Sequence, residues 1–136
     1  MGSRKLIICD TGVVSRFLTD TLEFVEAVHK IGLDNILITT TIKIELFQWI
    51  NGYKSIIGEK SHRDILSKIS ALQTIPIDRK VSLVAVELSK RYFFGVGDIL
   101  TVAVAIEYDL EIFTINRKHF REIKGLDLYE PPNFRK

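Results

Sequence analysis

Short apolar runs alternate with segments of helical periodicity along this chain. The runs have the length and composition of buried strands, and they lie at 6–10, 35–39, 74–77, 111–114 and 126–129. Between them, apolar residues recur three and four positions apart, as in amphipathic helices. This alternation predicts an α/β fold, a three-layer sandwich in which a parallel sheet of about five strands has helices on both faces.

Glycine and aspartate residues mark the predicted ends of several elements. Gly12 should interrupt the chain directly after the first strand, which predicts a turn at that point. Gly32 should end the helix that precedes the second strand, and Asp78 should cap the helix that follows the third. The stretch 56–61 is mostly polar and contains Gly58, so we expect a loop there.

One predicted helix differs from the others in its apolar content. Behind Asp98, apolar residues occupy nearly every position from Ile99 to Ile106, so they cover most of the helix circumference. Such a helix must be buried on nearly all sides, which predicts a central position in the fold. Asp98 stands at its start, after a segment from Gly95 to Gly97 that should close the preceding helix.

Composition limits the class of protein. With 136 residues, 46% of them hydrophobic and 26% charged, the chain should form one domain over residues 1–136. Charges interrupt every apolar stretch before the length of a membrane span, and the N-terminus lacks the pattern of a secretory signal, so we expect a soluble cytoplasmic protein. Cys9 has no second cysteine to pair with and should be a small buried side chain. A net charge of +2 does not by itself indicate nucleic-acid binding.

Three carboxylates occupy positions where the predicted topology can bring them together. Asp10 ends the first strand, Glu45 lies one turn inside the helix after the second, and Asp98 begins the buried helix. Ligands of open parallel sheets bind beyond the carboxyl ends of the strands, so the three acids can converge on one edge. Close carboxylates need a cation or protons to offset their charge, and oxygen-only ligands favour Mg²⁺ or Mn²⁺ over zinc. Such an ion can activate water and orient a phosphodiester, which is the chemistry of a nuclease.

Each acid also has a simpler structural interpretation. Asp10 could cap the turn after the first strand, Glu45 could be a solvated helix residue, and Asp98 could be an ordinary helix N-cap. The context favours a shared site. Asp98 precedes an almost wholly apolar helix, and Glu45 borders an apolar stripe that contains Trp49, where an isolated charge is costly.

Four motifs follow one another along the chain. They are Ile-Ile-Cys-Asp-Thr at 7–11, Thr-Thr-Ile-Lys-Ile-Glu-Leu at 40–46, Gly-Asp at 97–98 with Ile-Leu-Thr-Val-Ala-Val-Ala behind it, and Ile-Phe-Thr-Ile-Asn-Arg-Lys-His-Phe at 112–120. In order and spacing they resemble the PIN domains, especially the toxin ribonucleases of VapBC toxin–antitoxin pairs. The resemblance covers Leu6 to Tyr129. It implies a single PIN domain whose acidic pocket, formed by Asp10, Glu45 and Asp98, binds Mg²⁺ or Mn²⁺ and cleaves RNA; homodimers and a cognate antitoxin are usual in that family.

The sequence departs from the family pattern at two positions. Gly12 stands where many members have a small polar residue, and Asn116 stands where many have a fourth acid. The amide oxygen of Asn116 can still bind metal-bound water, though without charge, so we count it among the catalytic candidates. Thr11 and Thr114 offer hydroxyl groups to the water shell of the ion, and we assign them supporting roles.

A basic cluster follows Asn116 directly. Arg117, Lys118 and Arg121, with His119 among them, would lie at the predicted acidic edge, where they could bind RNA phosphates. The simpler interpretation is a solvated surface helix. Aromatic residues around Trp49 could belong to the core or to a surface that a second copy or an antitoxin helix covers.

Competing enzyme classes fit the sequence less well. Haloacid-dehalogenase-like phosphotransferases carry a second aspartate two positions after the nucleophile, where this chain has Gly12. Response-regulator receivers place the phosphoacceptor aspartate at the end of the third strand and a lysine after the fifth, and neither is evident here. A degenerate PIN domain that binds RNA or a partner protein without cutting remains the alternative, because Asn116 replaces an acid.

Overall fold

The computed structural model describes residues 6–131, and its strands form a single parallel sheet. The strands are β1 (Ile7–Cys9), β2 (Ile36–Thr39), β3 (Thr74–Ile75), β4 (Glu111–Phe113) and β5 (Asp127–Leu128). Their order is β3-β2-β1-β4-β5, and every neighbouring pair is parallel. This confirms the predicted sheet, although the edge strands are shorter than the apolar runs in the sequence.

Helices connect the strands. They are α1 (Thr11–Leu18), α2 (Leu22–Ile31), α3 (Thr40–Gly52), α4 (Lys54–Ile57), α5 (Glu59–Ala71), α6 (Arg79–Ser89), α7 (Val96–Tyr108) and α8 (Arg117–Phe120). The chain moves outward from β1 through β2 to β3, then crosses back to β4 and continues to β5. Because crossovers between parallel strands are right-handed, the two directions place helices on opposite faces of the sheet. The result is the predicted α/β three-layer sandwich.

The centre of the molecule is formed by β1, β2 and α7. Both strands are buried along their whole length, and α7 buries Ile99 and the run from Thr101 to Ala105. This confirms the central position predicted from the apolar content of that helix. Cys9 is also buried, as expected, and burial raises the pKa of its thiol, so it is an unreactive core side chain.

Two predicted helix boundaries are confirmed. Gly32 follows α2 with φ 92°, a backbone conformation that favours glycine. Asp78 caps α6, because its Oδ1 accepts a hydrogen bond from the backbone N–H of Val81 at 2.9 Å.

Other local predictions are wrong, because a glycine or a polar stretch weakens a helix without preventing it. Gly12 does not break the chain but lies inside α1, which starts directly after β1. The stretch 56–61 is helical apart from Gly58, which separates α4 from α5 with φ 87°. Asp98 is not an N-cap: Gly95 holds that position, so Asp98 lies in the first turn of α7. The segment from Gly95 to Gly97 therefore begins α7 rather than closing α6.

No helix within residues 6–131 has the length and apolar content needed to cross a membrane.

Candidate functional site

Asp10 lies where the order of the sheet reverses. The chain leaves β1 toward β2 on one side, while β4 lies on the other, so the end of β1 is the switch point at which ligands of such sheets bind. The Asp10 backbone N–H donates to the carbonyl of Phe113 at 3.1 Å and extends the ladder between β1 and β4. Its Oδ1 accepts a hydrogen bond from the backbone N–H of Val13 at 3.0 Å, which caps α1. One residue thus ends a strand, starts a helix and presents a carboxylate at the switch point.

Thr114 fixes the other oxygen of this carboxylate. The Thr114 hydroxyl donates to Oδ2 of Asp10 and accepts a hydrogen bond from the backbone N–H of Asn116 at 3.0 Å. Thr114 is only 3% exposed, whereas Asn116 is exposed and its side chain does not cap α8. The buried hydroxyl therefore connects the loop after β4 to Asp10, and the Asn116 amide stays at the surface of the same edge.

Glu45 lies where three helices meet. The Thr11 hydroxyl, at the start of α1, donates to Glu45 Oε1 at 2.5 Å, so the beginning of α1 is tied to α3. Gly97, in the first turn of α7, approaches from the other side: a Cβ atom at this position would lie 3.0 Å from Glu45 Oε2. Glycine at position 97 thus permits a close approach that any other residue would disturb.

The pKa values indicate that the three acids share one electrostatic environment. Burial is the main cause that raises the pKa of Asp10, hydrogen bonds from Thr114 and Val13 lower it, and the charges of Asp98 and Glu45 raise it further. Burial also raises the pKa of Asp98; the neighbouring His119 lowers it and Glu45 raises it. The structure therefore brings Asp10, Glu45 and Asp98 within electrostatic reach of one another, as the sequence predicted.

The donor set suits a hard divalent cation. The groups at this edge are carboxylate, hydroxyl and amide oxygens, and raised carboxyl pKa values indicate negative charge that burial leaves poorly compensated. In the part of the chain that the structure describes, no three His, Cys, Asp or Glu side chains form a complete ligand cluster. An ion held by one or two carboxylates that keeps most of its water, as Mg²⁺ usually does, fits such a half-open arrangement.

The basic cluster on α8 is less available than the sequence suggests. The guanidinium of Arg117 pairs with the carboxylate of Glu130, and Arg121 Nη2 lies 3.9 Å from the same Glu130 oxygen. Lys118 is exposed, and no ion pair among residues 6–131 involves it. Of the three predicted phosphate-binding residues, Lys118 is thus the one with an uncompensated charge.

Sequence reasoning missed the roles of Gly97 and Glu130. A glycine at the start of an otherwise apolar helix was a usable signal, because glycine is costly within helices unless close packing requires it. Glu130 gave no signal, since its pairing with Arg117 depends on how the chain returns after β5.

Solved structures share this fold. A toxin–antitoxin complex from Klebsiella pneumoniae superposes with a TM-score of 0.75 at 21% identity, covering 92% of this chain and 99% of that chain. VapBC2 from Rickettsia felis, bound to a promoter DNA fragment, gives 0.75 at 21% identity with coverage of 91% and 97%. VapC20 from Mycobacterium tuberculosis, a sarcin–ricin-loop-cleaving toxin, gives 0.67 at 10% identity with coverage of 92% and 99%. A comparison with curated protein sequences finds no match.

The sequence profile of the PIN domain matches residues 7–126, a range that includes β1 to β4 but not β5. That range also includes Asp10, Glu45, Asp98 and Asn116. Because the match extends over most of the chain, this protein belongs to the PIN domain family.

Proposed function

We propose that this protein is a metal-dependent endoribonuclease and the toxin of a VapBC-type toxin–antitoxin pair in the cytoplasm. The observation that carries the proposal is that Asp10, Glu45 and Asp98 lie within electrostatic reach of one another near the switch point of a PIN fold, where burial and the neighbouring acids raise the pKa of Asp10 and Asp98. Placing negative charges close together at a ligand-binding edge is energetically costly. A bound cation would offset that cost, which supports a role of these acids as metal ligands.

In this proposal Asp10, Glu45 and Asp98 hold Mg²⁺ or Mn²⁺, directly or through its water. When bound, the ion supplies a more acidic water and stabilises negative charge on a phosphodiester. The chain's own hydrogen bonds prepare the ligands: Thr114 and Val13 orient Asp10, and Thr11 orients Glu45. These contacts are supporting interactions, which lower the cost of arranging the carboxylates.

The surface around the acids would position the RNA. Asn116 is exposed at the same edge, where its amide can bind water or a phosphate oxygen. Lys118 supplies an uncompensated positive charge, while Arg117 and Arg121 share Glu130 and add less to the local potential. We therefore assign phosphate binding chiefly to Lys118.

The partners are inferred from structures with the same fold. Several of those structures are toxin–antitoxin complexes, of which two are bound to DNA, and one toxin cleaves the sarcin–ricin loop. By this analogy we infer an RNA substrate and a cognate antitoxin. We infer a homodimer from the exposed apolar side chains around Trp49 instead.

The proposal is tested by Asp98→Asn. We expect the parent to cleave single-stranded RNA with Mn²⁺ and not with chelator, and the variant to lose cleavage. In chelator the variant should be at least as stable. It loses the attraction of His119 and about 0.3–1 kcal/mol at the helix dipole, but it also removes the cost of burying a charged carboxylate and the repulsion with Glu45, which together raise the pKa of Asp98. Added Mn²⁺ should raise the melting temperature of the parent more than that of the variant.

A matched control is Glu59→Gln, which removes an exposed first-turn acid from α5 and should change neither cleavage nor the response to Mn²⁺. If Asp98→Asn cut RNA normally and were clearly less stable in chelator, Asp98 would be a structural residue and the proposed metal site would be wrong.

The second candidate function is RNA or protein binding without cleavage. Asn116 favours it, because an amide brings no negative charge to the ion. A parent that binds RNA, ignores Mn²⁺ in thermal melts and leaves the RNA intact would establish this alternative.

A further inference from the structure

Three aromatic rings form a continuous stack beside the acidic edge. Tyr92 and Phe94 are nearly parallel, with ring centroids 5.7 Å apart and an interplanar angle of 6°. The His119 ring packs on Phe94 with centroids 4.0 Å apart and a tilt of 44°. The buried Phe120 lies next to both Phe94 and His119, so the stack is anchored in the core. We refer to Tyr92, Phe94 and His119 as the aromatic stack.

The exposed end of this stack lies next to the proposed catalytic site. His119 is exposed, while Tyr92 and Phe94 are only partly so. The His119 backbone N–H donates to the Asn116 carbonyl at 3.1 Å, and the Asn116 N–H donates to the Thr114 hydroxyl that binds Asp10, so the stack adjoins the acidic edge. The charge of His119 also lowers the pKa of Asp98. Lys118, the exposed cation of α8, directly precedes His119 in the chain. An aromatic surface, a positive charge and a proposed cleavage site therefore adjoin.

We propose that the aromatic stack is a base-binding subsite, in which an unpaired RNA base stacks on the exposed end formed by His119. This inference rests on the proposed function and names the part of the substrate that the protein holds beside the scissile phosphate. Stacking on an aromatic ring accepts any base, because every base has a π-face, and it requires single-stranded RNA. The Phe94 ring supports the imidazole from behind, so little side-chain freedom is lost on binding.

The neighbouring Phe93 provides a control. It lies in the same connection between α6 and α7 and is fully exposed, and no ring contact within residues 6–131 involves it. A general apolar patch would include Phe93, whereas the supported stack does not. If RNA bases stack on the supported ring alone, substitution of His119 should weaken RNA binding and substitution of Phe93 should not.

The test compares His119→Gln, His119→Phe and Phe93→Ala. The probes are a short single-stranded oligoribonucleotide, copies that carry one abasic nucleotide at successive positions, and copies that carry 2-aminopurine. KM and kcat are measured with Mn²⁺, and 2-aminopurine fluorescence is measured with chelator. At one position we expect the abasic nucleotide to raise KM about tenfold with the parent and to have little effect with His119→Gln, because the stacked base and the ring are then coupled.

His119→Phe should keep the parent KM, the abasic effect and the fluorescence quenching, because it keeps an aromatic face and loses only the ring nitrogens with their hydrogen-bonding capacity and charge. Phe93→Ala should behave as the parent does. The subsite is overturned if His119→Phe is as defective as His119→Gln, if Phe93→Ala loses as much affinity as His119→Gln, or if His119→Gln changes the oligomeric state and leaves KM unaltered. If all variants cleave RNA as the parent does, the subsite is rejected while the nuclease activity is supported. If the parent neither binds nor cleaves RNA, the proposed function is rejected together with the subsite.

Discussion

Asp10 illustrates how several requirements meet in one residue. Its backbone continues the pairing of β1 with β4, its Oδ1 caps α1, and its Oδ2 accepts the Thr114 hydroxyl. The cap and the hydroxyl lower the pKa of Asp10, yet burial and the neighbouring acids outweigh them. The local interactions thus hold the carboxylate in place without fully stabilising its charge, which is the condition under which a cation binds well.

The raised pKa of Asp10 predicts how stability in chelator depends on pH. A folded-state pKa above the unfolded one means that the stabilising contribution is fully present below the unfolded pKa, about 3.9, and is lost as the pH rises through the folded pKa. Asp10→Asn has no carboxyl proton to lose at this position. The free energy of unfolding of the parent should therefore fall relative to that of the variant as the pH rises through this window. Urea unfolding of both proteins from about pH 4 to about pH 8 measures the difference. Parallel curves would contradict the raised pKa.

Thr114→Val should separate the support of Asp10 from the acid itself. The substitution keeps the shape of a buried side chain but removes the donor to Asp10 and the acceptor for the Asn116 N–H. We expect metal-dependent cleavage to fall by about 10- to 100-fold and stability to fall by about 1–3 kcal/mol. The rescue variant is Thr114→Ser, which retains the hydroxyl and should recover most of the activity in RNA cleavage assays. Full activity of Thr114→Val would contradict a supporting role for the hydroxyl, and a loss confined to Thr114→Ser would show that the methyl group matters instead.

At the scale of elements, the first turn of α7 decides the geometry of the site. Gly95 caps this helix without a side-chain hydrogen bond, Gly97 allows Glu45 to approach, and Asp98 joins the acids from inside the first turn. Thr101 donates to the carbonyl of Gly97 at 3.0 Å and holds the same turn. Gly95 and Gly97, which were predicted to close α6, therefore belong to the start of α7.

Gly97→Ala should affect activity more than stability. Alanine gains about 0.5–1 kcal/mol in a helix, but its Cβ would lie 3.0 Å from Glu45 Oε2, which is the mobile end of a side chain and can move away. We expect a change in stability within about 1 kcal/mol of the parent, together with a clear loss of Mn²⁺-dependent cleavage as Glu45 is displaced. Thermal melts and cleavage rates measure the two effects.

The control for this substitution is Gly52→Ala, at the end of α3, where an added Cβ meets nothing within 4 Å. It should leave cleavage unchanged. Full activity of Gly97→Ala would mean that the close approach of α7 to Glu45 does not position the carboxylate.

At the scale of the whole molecule, two of the apolar regions at the surface are relevant to association. Trp49 packs edge-on against Tyr53, which is 47% exposed, and Ile56 follows at 75% exposure. A separate open groove of about 420 Å³ lies between α6 and α7, lined by residues that include Leu83, Tyr92 and Ile106. Trp49, Tyr53 and Ile56 are thus partly or fully exposed, and whether a second copy covers them stays a prediction.

We expect a homodimer that buries the apolar side chains of Trp49, Tyr53 and Ile56. Ile56→Glu should then shift the protein toward monomer, because it places a charge in an apolar contact. Leu22→Glu, at a position that is 64% exposed on α2, is the matched control and should leave the association unchanged. Sedimentation equilibrium at micromolar concentration measures both. A parent that is monomeric under these conditions would contradict the predicted dimer.

The sequence by itself determined the features that periodicity and residue chemistry record locally. Alternating strands and helices predicted the parallel sheet, the apolar run after Asp98 predicted a buried central helix, and the motifs around Asp10, Glu45 and Asp98 predicted the PIN family. Each of these signals lies within one segment, because burial of one face or of a whole element leaves its pattern in the residues of that element.

Only the tertiary structure decided the contacts between distant segments. The approach of Ile115 to Gly12, the approach of Gly97 to Glu45, the pairing of Arg117 with Glu130 and the packing of His119 on Phe94 each depend on how separate elements meet. The sequence around each of these residues would look the same whether or not its contact partner lay nearby. The physical reason is that side-chain packing and charge pairing act through space, while a sequence pattern reports only the environment along its own element.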